Sequence, residues 1–252
     1  MCPLIFLSLS LLFSCSNRKH VVYLDNLNNW SVNKIDYYIE NNIEIGDILK
    51  IDVNTVIPET SIPYNNLDDI QSNFNADLLM ISGYLVDKDS TINYPILGSI
   101  NVVGLTENEL AFKIMNLLIN LGHLTNPHVK VKKINSKFTV LGEVRNPGTY
   151  ANYDNQLNIF QALGVAGDLL ITAKRKNVTL LRQESGFRKT YKFSLNNSEL
   201  FEKPYYYIKS NDVIIVEPNF SKIKSAGFVG SPASIASISS LILSITLLII
   251  NK

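Results

Sequence analysis

Cysteine and histidine are scarce in this chain: two Cys and three His in 252 residues. Cys2 and Cys15 both fall in the first fifteen positions, so the rest of the chain has no thiol for a disulfide framework. His123 and His128 stand five apart with Pro127 between them, which denies them a shared helix face, and no Cys/His set has zinc spacing. An excess of either sign of charge is missing as well. Lys and Arg number 23 against 22 Asp and Glu, which excludes the heavy basic surplus of a nucleic-acid binder. No nucleophile elbow, zinc-protease helix or phosphate-cradling glycine loop occurs. Asp68 with Asp69, and Asp87 with Asp89 around Lys88, are the available carboxylate pairs, and each stands in turn-like polar sequence. No catalytic, cofactor-binding or metal-binding residue is therefore expected, and an enzyme reading is set aside.

Two apolar segments bracket what is there. Met1 to Ser14 is short, rich in Leu, Ile and Phe, and ends in Leu12-Phe13-Ser14-Cys15, a pattern resembling a secretory leader closed by a lipobox. Cys15 is the expected lipidation site. At the other end, Ser225 to Asn251 carries no charge and lies between Lys224 and Lys252. Its length and composition predict a single C-terminal transmembrane helix. On a helical wheel Ser234, Ser237, Ser240 and Ser244 share one stripe, while Ile238, Ile242, Ile245 and Ile249 share another. Two arrangements satisfy this pattern: a lone anchor whose hydroxyls bond back to its own carbonyls, or a helix that turns them to a neighbour or a lumen. Ser237→Leu with Ser244→Leu separates the two, because only the second needs the stripe.

Between these segments the pattern is that of two modules. After an Asn-rich spacer, apolar residues at 43, 45, 49, 51 and 53 alternate about Gly46-Asp47, predicting strand, turn, strand. Strands are expected over 78–86 and 91–97. Thr106 and Glu109 form a capping box for a helix with Leu110, Ile114, Leu117, Leu118 and Leu121 on one face and Gly122 at its end. Val129 and Val131 alternate with Lys130 and Lys132 in a half-buried strand. From about Ser136 a second module follows: a strand over 137–144, the turn Asn146-Pro147-Gly148, a short helix over 158–166 stopped by Gly167, and strands over 177–182, 187–193 and 213–216. Strands with few helices indicate an α+β class. Residues 15–136 hold 9 Lys+Arg against 14 Asp+Glu, whereas 137–224 hold 13 against 8. Neighbouring copies set side by side would bring acidic and basic faces together. The aromatic run Tyr205-Tyr206-Tyr207 fits half-buried packing or stacking on a pyranose.

Read in order, the chain resembles the outer-membrane polysaccharide export lipoproteins. Carrying the likeness are Ile45-Gly46-Asp47-Ile48-Leu49, Tyr94-Pro95-Ile96-Leu97-Gly98 and Val103-Gly104-Leu105-Thr106, then Gly142-Glu143-Val144-Arg145-Asn146-Pro147-Gly148-Thr149-Tyr150, Gly164-Val165-Ala166-Gly167 and Asn211-Asp212-Val213-Ile214 with Val216-Glu217-Pro218. The resemblance implies a leader at 1–14, a lipid-anchored polar spacer at 15–42, a periplasmic poly-export domain at 43–135, one SLBB-like β-grasp domain at 136–220 and a membrane helix at 225–251. It further implies a homo-oligomeric ring held to outer-membrane lipid, whose C-terminal helices form a pore for capsular or exopolysaccharide, working with an inner-membrane co-polymerase and no cofactor. A lipid-anchored periplasmic glycan-binding or scaffolding protein is the competing reading.

Overall fold

Leu49, Ile51 and Val53 alternate with polar neighbours, and in the computed structural model, which describes residues 22–26, 41–65, 82–154, 156–184, 186–225 and 232–250, that alternation buries one face of strand β1 (Ile48–Asn54). β1 is the middle of a three-stranded antiparallel sheet, flanked by β2 (Tyr84–Leu85) and β5 (His128–Lys133). It runs against β5 from Leu49 opposite Lys133 to Asn54 opposite His128. Only the second arm of the expected strand-turn-strand forms. Ile43 is instead buried in an extended segment, where its N–H donates to the Leu105 carbonyl and its carbonyl accepts from the Gly104 N–H. A hairpin of β3 (Thr91–Tyr94) and β4 (Gly98–Asn101) follows, its turn holding Ile96 at φ 67° and Gly98 at φ 71°.

Helix α1 (Glu107–Asn120) starts where the sequence places it: Thr106 accepts from the Glu109 N–H, and the Glu109 carboxylate accepts from the Thr106 N–H. Leu110, Ile114 and Leu118, spaced by four, are fully buried, each contributing roughly 1.5–3 kcal/mol of apolar burial. They close the first core with Leu49, Val53, Ile92, Tyr94 and Val131.

A five-stranded mixed sheet, ordered β7-β6-β10-β8-β9, organises the second core. Its strands are β6 (Lys137–Gly142), β7 (Gly148–Ala151), β8 (Ala173–Glu184), β9 (Phe187–Phe193) and β10 (Val213–Pro218), and only the β6–β10 pair is parallel. Where β6 crosses β10, Gly142 sits at φ 93°, and a Cβ there would lie 2.0 Å from the Val216 carbonyl oxygen. Only glycine permits that approach. Helix α2 (Ile159–Val165), capped by Asn158 and Gln161, packs Ile159, Ala162 and Leu163 onto Phe138, Val140, Leu180 and Ile214. Residues 22–26, within the stretch expected as spacer, are fixed to this second unit. The Leu24 and Asp25 N–H groups donate to the Leu195 and Asn196 carbonyls at 3.1 and 2.9 Å, and Tyr23 sets its ring edge-on to Phe160.

The C-terminal reading needs correction. Beyond the short helix α3 (Phe220–Ser225), the chain forms α4 (Pro232–Ile250) of 19 residues. At about 1.5 Å per residue α4 is about 28 Å long, short of a hydrocarbon layer about 30 Å thick. Five serines and one threonine dilute its apolar surface. No helix among the described residues is long and apolar enough to cross a membrane, so the fold is a mixed helix-and-strand body without the expected transmembrane helix.

Candidate functional site

The alternation of β8 carries Arg182 and Glu184 to the same face near its end, and the turn at Gly186 (φ 79°) returns the chain as β9, with Lys189 opposite Arg182. Arg182 turns inward. Its Nε and Nη2 donate to the two carboxylate oxygens of Asp212 at 2.9 and 2.6 Å, and Nη2 also donates to the Tyr207 carbonyl at 2.6 Å. Both partners are almost wholly buried. Burial pushes the Asp212 carboxyl above its ordinary value, and the bidentate guanidinium opposes that shift.

Glu184 stands at the rim of this pair. Its carboxylate accepts from Lys189 Nζ at 2.9 Å and Lys209 Nζ at 3.1 Å. The Lys189 hydrogen bond leads in pulling its pKa down to about 2, joined by Lys209 and opposed by partial burial. Facing them across the gap between the two units are Glu44, just before the Gly46-Asp47 turn, and Lys133. Asp47 accepts from the Glu44 N–H at 2.8 Å and pairs with Lys133 at 3.0 Å, with less than a tenth of either side chain exposed. The two walls enclose a cleft of about 250 Å³. Asn41, Asn42, Glu44 and Lys133 line it from the first unit. The second contributes Gln183, Glu184, Lys189, Lys209 and Ser210.

None of the residues singled out from sequence lines this cleft. Cys15 lies outside the described residues. Ser234 falls within α4, but its side chain is also outside them. Ser237, Ser240 and Ser244 are exposed on α4, and the Ser240 hydroxyl bonds back to the Ser237 carbonyl at 2.9 Å. Among the described residues no three His, Cys, Asp or Glu side chains gather to hold a metal. Tyr205 stacks on Tyr191 at 4.6 Å between ring centres, and Tyr206 meets Phe160 and Phe201 edge-on, so both serve packing. Glu184, Lys189 and Lys209 escaped the sequence reading because the β8–β9 hairpin brings Lys189 back to Glu184 and Lys209 joins them from 25 positions on. The available signal was Arg182, a charge at an inward position of a strand.

Comparison with known proteins bears on the first wall. Residues 39–133 match the polysaccharide biosynthesis/export protein family. The matched stretch holds the first sheet, α1 and the Glu44 and Lys133 side of the cleft, and the resemblance read from the sequence is shown over it. Across a longer span the chain is 26% identical over 201 residues to the EPS I polysaccharide export outer membrane protein EpsA of Ralstonia solanacearum, covering 77% of this chain and 52% of that protein. The EpsA of Ralstonia nicotianae is likewise 26% identical over 202 residues, at 77% and 51% coverage. The chain spans about half the length of these curated relatives, and the similarity runs past the export domain alone.

Proposed function

We propose that this protein is a subunit of an exopolysaccharide export complex of the outer membrane, its two described units standing in the periplasm. The observation that carries the reading is the 26% identity over 77% of the chain to proteins named for that task, together with the export-domain match. Cys15 holds the chain to outer-membrane lipid. Copies assemble as a ring through which polymer passes, and an inner-membrane co-polymerase supplies direction. Two features support self-assembly. The acidic first part and basic second part complement one another between neighbours. Leu241, Ile242, Leu243, Ile245 and Leu248 of α4 are about half exposed or more, an apolar surface that wants a cover. The face bearing Ser234, Ser237, Ser240 and Ser244 is where α4 of one copy meets the next.

A second reading is favoured by one observation. The polar cleft lined from both units suits a lipid-anchored periplasmic protein that holds glycan or scaffolds a larger complex. Electron microscopy of the full-length protein in mild detergent, with a polymer-secretion assay in a strain lacking it, decides between them. Closed rings and lost secretion support the export subunit. Monomers with secretion unaffected overturn it.

A further inference from the structure

We propose that the polar cleft between the two units is a saccharide-binding subsite, built for one neutral, polyhydroxylated sugar ring. It deepens the export reading by naming a place where the chain itself grips sugar, and it is tested without export. The cleft has no aliphatic or aromatic lining residue: amides, a hydroxyl, carboxylates and ammonium groups make up both walls. At about 250 Å³ it falls just under the roughly 300–1,000 Å³ of sites for drug-sized ligands, a volume for a single ring rather than a chain.

The charge balance decides the ligand class. Lys189 and Lys209 share Glu184, Lys133 pairs with Asp47 and Arg182 with Asp212, and the exposed Glu44 carboxylate on the rim brings the count to four cations against four carboxylates. With the charges balanced, no net positive charge draws the carboxylate of a uronate or a phosphate, and Glu44 and Glu184 repel both. A sugar hydroxyl donates and accepts at once, so it suits walls where carboxylates accept beside ammonium groups that donate. Each ammonium carries three donors, and Glu184 takes one from Lys189 and one from Lys209. Both lysines are partly exposed, at 50% and 37% of their side chains, so their remaining protons are within reach of a solute. Asn42, Gln183 and Ser210 lie outside the ion pairs and supply neutral partners from opposite walls. A ring held by both walls couples the export domain to the second sheet.

Saturation-transfer NMR on the full-length protein in detergent, with methyl β-D-glucopyranoside as probe, tests this. Expected is a saturable signal with Kd of order 1 mM, as suits a few hydrogen bonds at an open site. Gln183→Ala combined with Ser210→Ala is expected to weaken it at least several-fold with circular dichroism unchanged, and Asn42→Ala from the other wall serves where that pair misfolds. Sodium glucuronate should bind more weakly than the glucoside. No saturable signal, or one indifferent to both sets of substitutions, overturns the subsite, and glucuronate binding as tightly as the glucoside overturns its neutral class. Failure of secretion or ring assays leaves these outcomes unaffected, so the two readings fail separately.

Discussion

Arg182 and Asp212 show how a charge becomes a structural requirement. The guanidinium is 2% exposed, and Asp212 supplies two of the oxygens it donates to. Asp212→Ala leaves that cation buried without its counter-ion, and a loss of about 3–5 kcal/mol is expected in urea unfolding. Glu184 makes a different prediction, in pH. Its folded pKa of about 2 lies below the ordinary 4.5, so its contribution to stability is present above about 4.5 and fades as pH falls toward 2. Urea midpoints measured across that window should fall more steeply for the native chain than for Glu184→Gln; equal slopes would remove the ion pairs from the account. Asp212 was legible as part of Asn211-Asp212-Val213-Ile214, but its partner thirty positions earlier was not, because nothing local to Arg182 says what it faces.

Elements were legible in proportion to how local their determinants are. Thr106 with Glu109 announces α1, and Asn158 begins α2 by the same reciprocal bonding with Gln161. Thr106→Ala should lower stability by about 1 kcal/mol, read as a shifted urea midpoint with unchanged slope. Strands that depend on partners were harder to read. The expected arm at Ile43 forms no strand because Gly104 and Leu105 engage its backbone, and β4 was hidden because its turn places Ile96, a β-branched residue, at positive φ. α4 misled in the opposite way. Absence of charge over 225–251 suggested a span, but the described helix, Pro232–Ile250, carries six hydroxyl residues that interrupt its apolar run.

At the scale of the molecule, two separate cores lie upstream of α4, one under each main sheet. Truncation after Ser225 should therefore leave the thermal unfolding transition within a few degrees of the full chain while abolishing ring particles in electron micrographs. A collapsed transition would mean that α4 belongs to a core. The alternating strands and both capping boxes made the two units readable, whereas the cleft was not, since its walls come from segments about 140 positions apart such as Glu44 and Glu184.

Fixing residues 22–26 to the second sheet also sets a leash. With Cys15 acylated as proposed, seven residue steps separate the lipid from Val22, a reach of at most about 25 Å at roughly 3.5 Å per extended residue. Val22 is tied by its carbonyl to the Asn196 side chain, and Tyr23 next to it by its hydroxyl to Asp168, so the tether ends on the second unit. On that proposal it is the second unit, and not the stretch that matches the export family, that is moored at the bilayer.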